Sequence, residues 1–369
     1  MIKVVEILNN MGMGGAESLI KDYATYINKE EFEITVIVGD KERGTPNEKA
    51  LRELGVKTVY IGEALQQKIS KWNLLGKSLR KWKRNKLFYQ ALEQEKPDVI
   101  HGHQHVNQYI YAYIRKNPGT AKLFYTVHSL PEHIFRREAE KKITQKLIDE
   151  HELHLIALQD QAARELKKLF KTDLVLVVNN CINVERFQSA AKDRKTYGIP
   201  EDAIVVGNVG RMNWVKNQTF LIDIFEEYRK KQPKAFLLII GNGDKKLELL
   251  DKISQKGLEQ CSLVLSDRGD IPELMKTMDY FVFPSLHEGF GLVVIEAQAC
   301  GLKCVISDRV PDDTYVSDQV SVVSVEEGAD TWVKAIEKNE FKVAQKYPIE
   351  NYDIRNVVNA LEELYRGSL

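Results

Sequence analysis

Tyr280-Phe281-Val282-Phe283-Pro284-Ser285-Leu286-His287-Glu288-Gly289-Phe290-Gly291-Leu292-Val293-Val294-Ile295-Glu296-Ala297 reads as a buried strand that runs through a turn into a helix. Residues 280–284 are the apolar strand, 288–291 the turn, and 292–300 the helix, entered past two glycines. Glu288 sits on the turn, and Glu296 follows eight positions later in the first helical turns. A helix start with glycine-exposed amides suits an anionic phosphate, and two separated carboxylates suit hydroxyl-rich partners such as a sugar and a ribose. Together they point to a sugar nucleotide. An isolated pair of glutamates at such a corner reads equally well as solvated side chains or helix caps, so the rest of the chain has to decide.

Outward from this corner, short β-branched runs alternate with amphipathic stretches. Residues 4–8, 33–38, 58–61, 98–101, 123–127 and 155–158 read as strands in the first half. Residues 203–209, 235–240, 263–265, 280–284 and 304–307 do so in the second, with helices such as 217–231 and 271–278 between them. This is the sequence form of a parallel, doubly wound sheet, made twice. The predicted fold is α/β: two facing Rossmann-like doubly wound domains with an interdomain cleft. The expected domains span 1–178 and 201–348, joined by a linker over 179–200 and followed by a helical segment over 349–369. Ligands of open parallel sheets collect at the carboxyl ends of the strands, so the active site is expected in the cleft.

The 369 residues, 43% of them hydrophobic, supply two cores, and 53 basic against 53 acidic residues leave no global field for nucleic acid. Cys181, Cys261, Cys300 and Cys304 show neither metal-ligand spacing nor a disulfide framework, which predicts inert core thiols in a reducing cytosol. Lys3 and Glu6 interrupt the first apolar residues, so no signal peptide is expected. No apolar run approaches the roughly 20 residues that span a bilayer, so a soluble or peripheral protein is expected.

Three further loops carry chemistry. Asn9-Asn10-Met11-Gly12-Met13-Gly14-Gly15-Ala16-Glu17 follows the first strand and opens a helix, where glycines admit a ligand close to the backbone. A tight structural turn uses the same residues. Gly207-Asn208-Val209-Gly210-Arg211-Met212-Asn213-Trp214-Val215-Lys216-Asn217 leaves a strand with Arg211 and precedes a helix with Lys216. Two such cations are either solvated or placed over a diphosphate. The chain contains no Asp-x-Asp to hold a divalent ion, and fixed Arg and Lys can supply that charge instead. Gly241-Asn242-Gly243-Asp244 and Ser266-Asp267-Arg268-Gly269-Asp270 end two more strands and are expected to border the nucleotide.

These motifs resemble those of the retaining nucleotide-sugar transferases of glycosyltransferase family 4, in the branch that builds capsular and extracellular polysaccharides, and the likeness covers nearly the whole chain. The resemblance implies the GT-B fold, with the last helix crossing back to the first domain. It assigns Glu288 to the transferred sugar, Glu296 to the ribose, Arg211 and Lys216 to the phosphates, and matches the family's Gly-Gly-Ala-Glu at Gly14, Gly15, Ala16 and Glu17. Gly243, Arg268, Phe290, Gly291 and Leu292 are assigned to the substrate as well. The family's usual Pro-Asn-Gly-Ile-Asp is replaced at Asn179, Cys181 and Asn183, and Ser266 stands where glycine is usual.

His128 ends the strand of residues 123–127, where a histidine donates to a sugar hydroxyl, steadies a cationic transition state through its carbonyl, or is merely structural. The family has a histidine here that lines the donor sugar. His101, His103 and His105 alternate like metal ligands, but a strand end followed by a turn would point them apart, and they are read as cleft lining, with no metal. Lys68, Lys71, Lys77, Arg80, Lys81, Lys83, Arg84 and Lys86 are interleaved with Trp72 and Trp82 without an acidic residue. The stretch reads either as a surface for anionic lipid or as a solvated helix packing its tryptophans inward.

The expected protein is a cytoplasmic, metal-independent, retaining hexosyltransferase, peripheral on the inner membrane face through Lys68 to Lys86. It would use no cofactor and no nucleic acid, and would move a sugar from a nucleoside diphosphate, UDP favoured, to a hydroxyl of a growing lipid-linked saccharide. His128, Glu288, Arg211 and Lys216 are the expected catalytic residues. A non-catalytic sugar-nucleotide-binding or scaffold subunit and a same-fold sugar-nucleotide epimerase remain as alternatives.

Overall fold

The structure, a computed structural model, describes residues 1–12, 14–65, 74–338 and 344–367, with the side chains of 74–77 left aside. The chain forms two compact units, Met1–Cys181 with Ile354–Leu369, and Ile182–Asp353.

Among the described residues the first unit holds seven strands, β1 (Ile2–Leu8), β2 (Phe32–Val38), β3 (Lys57–Tyr60), β4 (Val99–His103), β5 (Lys122–Val127), β6 (His154–Ala157) and β7 (Val175–Val177). They pair in parallel in the order β3-β2-β1-β4-β5-β6-β7. The second unit holds β8 (Ile204–Val209), β9 (Ala235–Ile240), β10 (Ser262–Leu265), β11 (Tyr280–Phe283), β12 (Lys303–Ser307) and β13 (Val320–Val323), parallel in the order β10-β9-β8-β11-β12-β13. Each is a doubly wound α/β sheet, as the alternation of elements predicts. The strand order reverses between β1 and β4 in one sheet and between β8 and β11 in the other, and such switch points are where ligands of these folds bind. Central strands are buried on both faces, which is why they read as unbroken apolar runs. The edge strands β7 and β13 lie outside the sequence expectation, being three and four residues long, too short for a periodicity to show.

Helix Ile354–Arg366 belongs to the first unit. Ile354, Val357, Val358, Leu361, Leu364 and Tyr365 form one apolar stripe at helical spacing and are buried in its core against helix Gly15–Tyr26. Lys122 Nζ donates to the carbonyls of Tyr365 and Arg366 at 3.0 and 2.7 Å, satisfying the frayed end of that helix.

The stretch expected as a linker is packed instead from residue 182 onward. Val184, Phe187 and Ile199 enter the second unit's core, and Asn183 caps helix Val184–Ser189 by accepting from the Arg186 amide at 2.9 Å. Arg194, in the charged part of this stretch, is 4% exposed. It donates to the carbonyls of Thr277, Glu201 and Ala203 at 2.8–3.0 Å and pairs with Asp279 at 2.6 Å. The four cysteines are buried and form no disulfide among the described residues, and burial pushes the thiols of Cys261, Cys300 and Cys304 up. Cys181, in the place of the family's glycine, is not among the residues with positive φ.

Candidate active site

At the switch point of the second sheet the loops after β8 and β11 are stitched together: the Leu286 amide donates to the Val215 carbonyl at 2.8 Å, and Ser285 Oγ lies 3.0 Å from the same carbonyl. Across this seam Lys216 Nζ meets Glu288 Oε1 at 2.7 Å, 72 residues apart in sequence. The ammonium also sits 4.7 Å over the Phe283 ring, and Ser285 Oγ lies 2.5 Å from the same carboxylate oxygen. The two side chains are 18% and 9% exposed, a partly desolvated pair in which attraction is stronger than on an open surface. Arg211, on the β8 loop, is exposed and forms no ion pair among the described residues.

A second stitch fixes that loop. The Gly210 amide donates to the Ile240 carbonyl and the Met212 amide to Asn242, both at 2.9 Å. A Cβ on Gly243 would stand 2.1 Å from the Met212 carbonyl oxygen, and Gly241, at φ +154°, would meet the Gly210 carbonyl. Both glycines are needed for two strand-end loops to touch.

Gly291, at φ +94°, turns the chain into helix Leu292–Ala299. Glu296 on that helix is half-buried, with no side-chain hydrogen bond or ion pair from the described residues. Burial pushes its carboxyl up to about 7, with the Arg186 charge opposing. Arg268 is engaged rather than open: it donates through Nε to Asp270 at 2.8 Å and lies 5.7 Å over the Tyr197 ring. The Arg268 hydrogen bond brings the Asp270 carboxyl down to about 2. Phe290 lies beside Tyr352, with ring centroids 5.7 Å apart.

In the first unit, Gly14 is the N-cap residue of helix Gly15–Tyr26 and Gly15 is open, since a Cβ there would have nothing within 4 Å. A Cβ on Gly14 would stand 2.5 Å from Glu17 Oε2. Glu17 is buried and accepts from Gln104 Nε2 at 3.1 Å. A carboxylate thus already occupies the region of the free helix amides. Such a carboxylate would repel a phosphate and accept from sugar hydroxyls.

His128 Nε2 lies 2.7 Å from His103 Nδ1. The expectation that His101 and His103 line a cleft is corrected: both are fully buried. β4 runs on to His103, so residues two apart point to the same interior face. They stand with Glu6, also fully buried, and ligand atoms of the three lie within 4.8 Å of one another. Each of these atoms is already hydrogen-bonded within the protein. Glu6 is the functional candidate that the sequence reading missed, and its signal was a charge inside a two-sided apolar strand.

Of the basic stretch, Lys68, Lys71 and Trp72 lie outside the described residues, as does the Lys77 side chain. In helix Leu74–Glu95, Leu79 and Trp82 are 52% and 60% exposed, and Lys86 lies over the Trp82 ring. Arg84 turns inward, 5.8 Å over the Tyr109 ring and 3.3 Å from Asn9 Oδ1, and leaves the surface patch. No helix among the described residues is long and apolar enough to cross a membrane. A cavity of about 920 Å³ lies at the amino ends of β5 and β6, lined by Lys122, His154 and Asp149, at the wrong strand ends for the site.

Two doubly wound α/β units with polar clusters at their switch points define a two-domain enzyme of the GT-B type. Residues 13–186 match the family described as Glycosyltransferase Family 4 and residues 189–341 that described as Glycosyl transferases group 1, so the chain belongs to these glycosyltransferases. It is 24% identical to the capsular polysaccharide biosynthesis glycosyltransferase CapH of Staphylococcus aureus, over 99% of both chains. It is 25% identical to the UDP-Gal:alpha-D-GlcNAc-diphosphoundecaprenol alpha-1,3-galactosyltransferase of Escherichia coli, over 67% of both. Among solved structures, Anabaena Alr3699/HepE in complex with UDP and glucose is similar in fold, with a TM-score of 0.76 at 19% identity and full coverage of each chain.

Proposed function

We propose that this glycosyltransferase moves a sugar from a nucleoside diphosphate sugar, UDP-linked in preference, to a hydroxyl of a growing lipid-linked saccharide, with retention and without a metal, at the cytoplasmic membrane face. The Lys216–Glu288 ion pair at the second sheet's switch point carries the reading, with Arg211 on the same loop and Glu296 on the next helix both without an ion pair among the described residues. The relatives whose names specify capsular polysaccharide and a UDP-Gal reaction on a diphosphoundecaprenol acceptor support the substrate class.

On this reading Arg211 and Lys216 neutralise the diphosphate, Glu296 accepts from the ribose hydroxyls, and Glu288 and His128 orient the sugar. The bond from the anomeric carbon to the diphosphate breaks as the bond to the acceptor hydroxyl forms on the same face. The acceptor proton passes to the departing phosphate oxygen. Hydrolysis of a UDP-sugar by the purified protein is expected to persist in excess chelator. Loss of turnover that magnesium or manganese restores would overturn the metal-free mechanism.

Glu296 supplies a pH test. With its carboxyl raised to about 7 by burial, the free protein holds a proton there below that pH. Ribose hydroxyls donating to the ionised form would lower it again, so nucleotide binding releases a proton and tightens as pH rises to about 7, then levels off. Calorimetry in buffers of different ionisation enthalpy measures the release, and Glu296→Gln should abolish this part of it. An unchanged release in that variant assigns the proton to the phosphates alone.

We propose further that Leu79, Trp82 and the cations around them rest on anionic lipid. Binding to anionic vesicles is expected to fall with salt, since exposed charges are screened within about 10 Å at 0.1 M. Lys81→Glu with Trp82→Ala should abolish it while donor hydrolysis continues; retained binding returns the helix to a solvated role.

A further inference from the structure

A polar chain runs through the core of the first unit. The register sets Glu6 of β1 opposite His101 of β4, and His103 opposite Thr126 of β5, while the C-terminal helix brings Tyr365 to the same face. His128 Nε2 lies 2.7 Å from His103 Nδ1, and His103 Nε2 lies 2.6 Å from Glu6 Oε2. The Tyr365 hydroxyl is 3.0 Å from Glu6 Oε1 and 2.6 Å from His101 Nδ1, and His101 Nε2 is 2.7 Å from Thr126 Oγ1.

Counting donors settles where the hydrogens sit. An ionised carboxylate only accepts, so His103 Nε2 and Tyr365 must both donate to Glu6. The tyrosine has then spent its one hydrogen, so His101 donates to it from Nδ1. A neutral His103 that donates at Nε2 accepts at Nδ1, and His128 must fill that position from its own Nε2. A neutral His128 is left with a bare lone pair on Nδ1, which bonds to no described residue.

The surroundings agree with those protonation states. Burial, and then the neighbouring His101, hold His103 down to about 4, and burial followed by the His103 and His101 rings holds His128 well below its usual value. Burial would raise the Glu6 carboxyl, but His101 and His103 together outweigh it and keep it well below the carboxylate range. The groups facing this chain are Glu6 from β1, His101 from β4, Tyr23 from helix Gly15–Tyr26 and Tyr365 from the C-terminal helix, and both phenols stay neutral. No lysine or arginine pairs with Glu6 among the described residues.

We propose that Glu6, acting through His103, is a positioning residue that fixes His128 in its Nε2–H tautomer, so that Nδ1 meets the substrate as a hydrogen-bond acceptor. This rests on the assignment of His128 to the donor sugar, and it reverses the direction of the bond expected from the sequence. The consequence is specificity: the substrate group at His128 must be a donor such as a hydroxyl, and a carboxylate or carbonyl oxygen there would face a lone pair.

Ring-nitrogen NMR of the whole protein labelled with ¹⁵N-histidine tests this at pH 7, with His128→Asn identifying the signals. Protonated Nε2 and bare Nδ1 on His103 and His128, with a protonated Nδ1 on His101, is the expected result. An Nδ1–H or doubly protonated His128 overturns the proposal. In Glu6→Gln the amide can donate to His103 and release the constraint. His128 should then shift towards the other tautomer and kcat for donor hydrolysis fall about 10- to 100-fold, as when a group orienting a functional histidine is lost. KM for the donor should stay within about threefold. A folded Glu6→Gln with unchanged tautomer and kcat sinks it, and if that variant does not fold, the wild-type spectrum decides. Should His128→Asn leave hydrolysis intact, the assignment of His128 to the sugar fails, and Glu6 loses its catalytic consequence even where the tautomer is as stated.

Discussion

Glu288→Ala is expected to lower kcat for donor turnover by roughly 100-fold or more while UDP binds as tightly as before or more tightly. The loss of turnover has the size seen when one fixed polar contact to a developing charge is removed. The unimpaired binding follows from the ion pair. Lys216 spends part of its charge on Glu288 at 2.7 Å, and removing the carboxylate frees the ammonium for the diphosphate. Lys216→Ala should act in the opposite sense. It removes a charge-assisted contact of about 1.5–3 kcal/mol, weakening UDP roughly 10- to 150-fold, and strands a carboxylate that is 9% exposed. The two residues share a contact, so the double variant should be far from additive. Additive losses, or UDP affinity falling equally in both single variants, would separate the pair and return Glu288 to a plain structural role.

That pair also shows how far the sequence could be read. Glu288 and Lys216 were each legible, because both stand on loops at strand ends where parallel sheets bind ligands. Their contact was not, since nothing local relates residues 72 apart until β8 and β11 become neighbours. The same limit explains Glu6 and the His101–His103 pair. Ending the strand at His101 turned His103 away, whereas the strand continues to His103 and buries both rings. Arg84 was misread for another reason. A run of charges reads as solvated, and only the fold shows that this cation lies over Tyr109. The alternation of apolar runs was legible because two-sided burial leaves no polar face to confuse it, and it thinned at the edge strands β7 and β13.

Arg194→Ala is expected to destabilise the second unit by roughly 3–5 kcal/mol, a large part of the 5–15 kcal/mol that holds a typical domain. The guanidinium is 4% exposed and closes three backbone carbonyls, from Thr277, Glu201 and Ala203, together with the Asp279 carboxylate. Truncation would take a donor from each of those acceptors at one seam, joining residue 194 to the start of β8 and the end of helix Ile271–Lys276. Asp279 would keep the Val205 amide at 2.8 Å and Lys192 at 3.6 Å, and it is 34% exposed, so water can relieve part of its loss; the carbonyl of Ala203 is a buried acceptor and has less recourse. Arg194→Lys keeps one charge but not the planar fork, and should fall between wild type and alanine. Urea unfolding followed by tryptophan fluorescence should show the midpoint lowered by about 1–2 M for alanine at an unchanged slope. A shift worth less than about 1 kcal/mol would mean that water replaces the fork at every acceptor, and that residues 182–200 are held chiefly by other contacts, the packing of Val184, Phe187 and Ile199 among them.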